Sequence, residues 1–292
     1  MKDNMNMNTK KVLACVDGSA STTSVTDWAI WSALRLEVPL EFLHVVDRHA
    51  ERGPSRDLSG NLGMDAQESL MQELTALDEQ RSKLAMDHGR HFLDQVRARA
   101  TTAGLEKIDT RQRHGALLDT LHEMEPQIRL AILGPHVHDR SSSRLHLDHH
   151  VENVVRSLQV PVLAANGPCK MPHSFVLAFD GSATGRKTVQ TVAASPLLRG
   201  MICHIVTAGS PTSQVVAQAE EAREVLSETG FVCEVAITEG HAEEVLHAYQ
   251  AQHKTDLLVM GAYGHSRIRE LILGSITTTM LRSSPTPVLI LR

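Results

Sequence analysis

Gly261, Gly264, Gly274 and Ser275 stand in the order G-x-x-G, nine residues, then G-S, a spacing suited to holding a phosphate. Glycines that follow a strand let backbone N–H groups come close to an anion, and a helix starting at the Gly-Ser step adds the partial positive charge of its N-terminus. The apolar run from Leu257 to Met260 supplies the strand, and Ser275 is a helix-capping type whose hydroxyl can also donate to phosphate. Asp180, Gly181 and Ser182 close a second apolar run, Phe175 to Phe179, and open a helical pattern. In a doubly wound parallel sheet ligands lie outside the carboxyl ends of the strands, so the Asp180 turn and the Gly261 loop are expected to face one crevice. Arg267 and Arg269 in the loop could neutralise phosphate charge, although loop arginines are commonly only solvated. The spacing is neither G-x-x-x-x-G-K-S/T nor a G-x-G-x-x-G after the first strand.

Other constellations carry less. No G-x-S-x-G, H-E-x-x-H or Walker lysine occurs, and His122-Glu123 lacks the second histidine of a zincin, so no catalytic residue is assigned. A site assembled in space, including a weak ATPase or phosphotransfer site, stays open on spacing alone. His136, His138, His146, His149 and His150 crowd one loop, but no cysteine or carboxylate pairing completes a metal signature there, and they read as solvated loop histidines. The metal content is left unassigned. Cys15, Cys169, Cys203 and Cys233 form no C-x-x-C pair and read as small hydrophobes in a reduced compartment.

The elements that must position these residues come in two copies. Val12 to Val16 runs into Asp17-Gly18-Ser19 as Phe175 to Phe179 runs into Asp180-Gly181-Ser182, and Leu43-His44 reads like Cys203-His204. Gly115 and Gly134 likewise match Gly240 and Gly261, and Pro161 matches Pro287. Strands are expected near 12–16, 40–46, 108–112, 130–133 and 160–165, and again near 175–179, 201–206, 232–238, 257–260 and 288–291. β-rich runs alternating with helical patterns define an α/β chain of two doubly wound five-stranded parallel-sheet domains. The segment from Asn166 to Pro172 divides them into 1–167 and 168–292. The first copy carries about 35 extra residues between its second and third strands, a helical insertion about 51–90 that begins as a loop. Its proline-free stretch continues as a helix to about Thr102, with Leu70, Leu74, Leu77 and Leu84 at helical spacing. That stripe either packs on its own domain or faces a partner, and the first is favoured because such stripes mostly serve the core. Where the second copy has its glycines and Gly-Ser, the first keeps Gly134 but has Val137, Asp148 and His149, which oppose close approach and anion binding.

The glycine pattern, the Asp-Gly-Ser turns and the closing strand together resemble the universal stress protein family in tandem. The resemblance covers nearly the whole chain and implies an adenine-nucleotide α-hydrolase-like fold with strand order 3-2-1-4-5 in each half. It also implies that the two terminal strands pair antiparallel, making an intramolecular pseudo-dimer. Carried over by position, it implies ATP, with or without Mg, held by Asp180, Ile205, Met260, Gly261, Gly264, Gly274, Ser275 and Ile276. The backbone at Ile205 or Val206 would meet adenine, a role resting on the resemblance alone. The function implied is a nucleotide-dependent stress-response signalling or protection module, working with ATP in its second half only. Two alternatives stand beside it. An ATP-hydrolysing or ATP-using enzyme of the wider group would carry a Ser-Gly-Gly-x-Asp-Ser loop where Asp180-Gly181-Ser182-Ala183 stands, and a non-nucleotide interaction scaffold would keep only the fold.

Composition bounds the partners. With 292 residues, 42% of them hydrophobic, the chain can bury two medium cores. A net charge of −5 and 3% aromatics leave neither the electrostatic footprint nor the stacking platforms of a nucleic-acid binder. No apolar run approaches a membrane span and the first residues lack a signal-peptide core, so a cytoplasmic location is expected. A homodimer supported by the inserted helix is expected, with an unidentified protein partner left open.

Overall fold

The computed structural model describes residues 10–46, 64–134, 149–262 and 274–292. Gly264, Arg267, Arg269, His136, Val137, His138, His146 and Asp148 lie outside these, as do the side chains of Leu70, Leu74, His149 and His150. The first half runs β1 (Lys11–Cys15), α1 (Thr22–Leu36), β2 (Leu40–Val46), α2 (Met64–Thr102), β3 (Ile108–His114), α3 (Leu117–Met124), β4 (Ile128–Leu133), α4 (His149–Ser157) and β5 (Val162–Ala164). The second runs β6 (Ser174–Ala178), α5 (Ala183–Ala194), β7 (Ile202–Ala208), α6 (Ser213–Glu228), β8 (Val232–Thr238), α7 (Ala242–His253), β9 (Leu257–Gly261), α8 (Ser275–Ser283) and β10 (Val288–Leu291).

All ten strands join one sheet in the order β3-β2-β1-β4-β5-β10-β9-β6-β7-β8, the expected 3-2-1-4-5 order twice over. Neighbours are parallel except at the centre, where Leu289 lies opposite Leu163 in the antiparallel β5–β10 pair. Joining the halves there covers two edges that would otherwise expose unpaired backbone groups. Val12, Leu13 and Ala14 in β1 and Phe175, Val176 and Leu177 in β6 are fully buried, because helices cover both faces of the sheet. Two apolar layers follow, each continuous through both halves. Trp28, Phe42, Phe92, Phe175, Ile205 and Leu226 fill one face, and Leu43, Leu121, Leu158, Val206, Leu246 and Met280 fill the other.

Two sequence expectations need correction. The extra residues lengthen the helix between the second and third strands, so that α2 has 39 residues where α6 has 16. Its last turns pack on the first half through Phe92, Leu93, Val96 and Ala100, whereas Leu77 and Leu84 of the anticipated stripe are 47% and 62% exposed. The second concerns His44 and His204. Ala14 pairs with Phe42 and Leu177 with Ile205, three residues before Asp17 and Asp180 respectively, so Glu41 is the counterpart of His204. The two histidines lie on opposite faces: His44 meets Phe92 of α2, and His204 meets Tyr249 of α7.

Candidate functional site

At the end of β6 the chain turns through Gly181, whose φ of 70° is costly for any residue with a Cβ. The Ser182 N–H donates to Asp180 Oδ1 at 3.0 Å, which fixes the carboxylate over the strand end. Ser182 then caps α5, its Oγ accepting the Gly185 N–H at 3.0 Å. A Cβ on Gly185 would lie 2.7 Å from Asp180 Oδ1, so glycine there is what admits the carboxylate.

Opposite this turn, β9 ends at Gly261. The Thr277 hydroxyl donates to the Gly261 carbonyl at 3.2 Å, and the Gly274 N–H donates to Ala262 at 3.3 Å, tying together the two ends of the intervening loop. Gly274 is the N-cap of α8, with extended backbone and, being glycine, no side chain of its own to cap the first-turn N–H groups. The positive end of that helix therefore opens into the space between the two strand ends.

That space is a cavity of about 510 Å³, within the size range of small-molecule sites. Asp180, Met260, Gly261, Gly274, Ser275 and Ile276 line it, as their positions in the sequence predict. Ile205 does not. It is fully buried on the α6 face of β7, and Val206, Thr207 and Ala208 beyond it reach the cavity, because the ligand space lies past the strand end rather than beside its middle. Val215 and Gln218 of α6 and Leu246 of α7 complete the wall and were not anticipated. Nothing in the glycine motif fixes the rotational phase of those helices; only the apolar spacing of Val215 and Leu246 could have drawn attention to them. Thr207 is the sharpest omission. It is 5% exposed, and its buried Oγ1 has no hydrogen-bond partner among the described residues.

The cavity thus has an apolar side, formed by Val206, Ala208, Val215, Leu246 and Met260, and a polar end where Asp180, Ser275 and the start of α8 meet. A planar ring fits the first and an anion the second, apart from the carboxylate of Asp180, which suits a hydroxyl or a cation.

The first half arranges the same elements differently. Asp17 holds its turn in the same way, accepting the Ser19 N–H at 2.9 Å and the Thr22 hydroxyl at 3.2 Å. Gly134, however, is pressed against α1: a Cβ there would lie 2.5 Å from Ser21 Oγ and 2.9 Å from Val25. The Phe92 ring comes within 3.8 Å of the Cβ position of Gly18 and stands edge-on to His44, with centroids 4.7 Å apart. Burial, with the Asp17 carboxylate adding to it, pushes the Cys15 thiol up to about 12, so it is inert behind this turn.

Two doubly wound units, fused through their last strands and offering a cleft at a strand-end switch point, define an α/β protein of the adenine-nucleotide α-hydrolase-like type. The family model described as "Universal stress protein family" matches residues 8–166 and again 171–292. The chain belongs to that family, as two of its domains in tandem. It is 34% identical over 286 residues to universal stress protein Slr1230 of Synechocystis, with 97% of this chain and all of that one covered. Among solved structures it is similar to a universal stress protein from Archaeoglobus fulgidus, with a TM-score of 0.72 at 17% identity and 97% and 98% of the two chains covered. A Pseudomonas aeruginosa protein described as a putative universal stress protein gives 0.63 at 19% identity, covering 99% and 95%. At such identities the two structures speak for the fold alone.

Proposed function

We propose that this universal stress protein binds ATP in the cleft of its second half and uses that binding as a nucleotide-dependent signal or protective state. The observation that carries the reading is the convergence of Gly261, Gly274 and Ser275, at family spacing, on the glycine-started N-terminus of α8 beside an apolar wall. The start of α8 would take the phosphates, Ser275 would donate its hydroxyl to them, and Asp180 would accept from a ribose hydroxyl or face a Mg2+ counter-ion. Val206, Ala208 and Met260 would bracket the base, with Thr207 Oγ1 gaining there the partner it lacks. When bound, ATP would supply a phosphoryl group and a ligand-dependent difference in stability. Among the described residues of the first half, Gly134 packs against Ser21 and Val25 and Phe92 against the Gly18 turn, which favours the second half as the place for ATP.

Calorimetric titration with ATP and MgCl2 tests this. The parent chain is expected to take up one ATP. Gly274→Val, whose site has ordinary extended backbone with φ −60° and so tolerates the residue, is expected to lose about 100-fold in affinity, or about 2.8 kcal/mol. Thr207→Val should lose less, about tenfold, while folding at least as stably, since it removes an unpaired buried hydroxyl. Asp148→Val should change affinity less than twofold. Unchanged ATP binding in Gly274→Val overturns the assignment of the second-half cleft.

A further inference from the structure

On the face of the sheet covered by α7, away from the mouth of the cleft, three heteroatoms converge on one point. His204 lies in β7 and is 7% exposed. Its Nδ1 stands 3.2 Å from Oε2 of Glu234, the residue paired with it on β8, and 3.1 Å from the Tyr249 hydroxyl on α7. His253, the last residue of α7, stacks on Tyr249 with ring centroids 4.0 Å apart and planes 12° apart, and its ring lies 5.6 Å from that of His204. One ligating atom from each of His204, Glu234 and His253 falls within 4.8 Å of the others.

We propose that His204, Glu234 and His253 bind a divalent transition-metal cation of the zinc class, with a water in the fourth position. Two imidazoles and one carboxylate are the donor set such ions prefer over Mg2+ or Ca2+, which take oxygen. In a tetrahedral site with bonds of about 2.0–2.1 Å the donor atoms are about 3.3 Å apart, so the His204–Glu234 separation already matches. His253 has only to swing inward, and it is an exposed side chain at a helix end. The Tyr249 hydroxyl, 3.1 Å from His204 Nδ1, would yield that nitrogen to the cation and turn towards the ligating carboxylate.

The fold does not require this cluster. In the first half the matching cross-strand pair is Glu41 and Asp109, and Glu41 is neutralised by Lys11 and Arg111. The first half thus brings a carboxylate, not an imidazole, to the strand position of His204. The donor set is therefore particular to the half with the open cleft. A bound cation would pin the edge strand β8 to α7, whose Ala242 and Leu246 line that cleft.

The test uses the full chain, stripped with a chelator and titrated with Zn2+, read by calorimetry and by metal content after gel filtration. Co2+ serves as a spectroscopic probe of the coordination. The site is expected to bind one Zn2+ whose affinity falls at least 100-fold in Glu234→Gln/His253→Gln, both surface positions that leave the buried His204 in place. A variant with His136, His138, His146, His149 and His150 changed to Ala should keep that equivalent, which separates it from uptake by the histidine-rich loop. Zn2+ should raise the melting temperature of the parent and not of the double variant, and Co2+ should lose its tetrahedral absorption in the double variant. Equal zinc uptake by parent and double variant, including none by either, overturns the proposal. ATP titration of the stripped chain reads the cleft separately, so failure of one does not count against the other.

Discussion

A residue's neighbours, rather than its type, decide its chemistry, and the four cysteines show this most directly. Burial pushes Cys169 up to about 12, with Asp27 adding to it, much as it silences Cys15. Cys233 behaves oppositely. It is the cross-strand partner of Cys203 on β7 and β8, and the Cys203 thiol donates to it, with Ser227 and the Arg223 guanidinium helping, so its thiol is held below the ordinary cysteine range. Cys203, buried and acting as the donor, is pushed well above it. Iodoacetamide labelling followed by mass mapping at pH 7.5 is expected to modify Cys233 first, about tenfold faster than any other cysteine. Cys203→Ala should slow that reaction and Cys203→Ser, which keeps a donor, should largely preserve it. Equal labelling of Cys233 in parent and Cys203→Ala would show that the thiol pair does not set its reactivity. The sequence could not have singled out this pair, because residues 203 and 233 become neighbours only once β7 and β8 are in register. The placement of Gly261, Gly274 and Ser275 at a strand end and a helix start was legible for the opposite reason: it follows from backbone conformation and local spacing, which the chain carries within itself. Thr207 was not, since an unpaired hydroxyl is a property of what surrounds it.

At the scale of elements, the strands were legible because burial on both faces leaves runs such as Val12 to Ala14 and Leu257 to Met260 without polar interruption. The strand order followed from the resemblance alone. Helix α2 was read less well. Leucine spacing drew attention to Leu77 and Leu84, but both point to solvent, and the helix is anchored by Phe92, Leu93, Val96 and Ala100 further along. Periodicity marks a stripe without saying how far along it the sheet extends. A sheet face covers only the turns that lie over it, and the early turns of a 39-residue helix run past β2 and β3. Leu93→Ala is therefore expected to cost about 2–5 kcal/mol by urea denaturation, as a large-to-small change in a packed core. Leu84→Ala, at an exposed position, should stay within about 0.5 kcal/mol. A cost at Leu84 comparable to that at Leu93 would mean that the early turns are buried against a second surface in solution. The His44 and His204 correction has a similar origin: shifting a strand by one residue moves every side chain to the other face, and matching letters do not report that parity.

The whole molecule behaves as one sheet with two unequal ends. Both apolar layers run unbroken from the first half into the second, so neither half has a core of its own that ends at the β5–β10 seam. On the α4 and α8 side of that seam, Arg282 reaches across to Glu152, with Nη2 at 2.9 Å from Oε2 and a second contact through Nε. The Glu152 side chain is 6% exposed and that of Arg282 44%, so water screens the arginine more than its partner. Removing the arginine leaves a buried carboxylate without its counter-charge, whereas replacing both partners by apolar groups removes the problem altogether. Arg282→Met is expected to lower stability by about 1–3 kcal/mol, less than for a fully buried pair because Arg282 is partly solvated. The double change Arg282→Met/Glu152→Leu should recover most of that loss. Scanning calorimetry of the parent should show a single transition, because the two layers leave no boundary at which one half could melt first. Two resolved transitions, with only one of them moved by Arg282→Met, would show instead that the halves are separate cooperative units and that the shared layers transmit little between them.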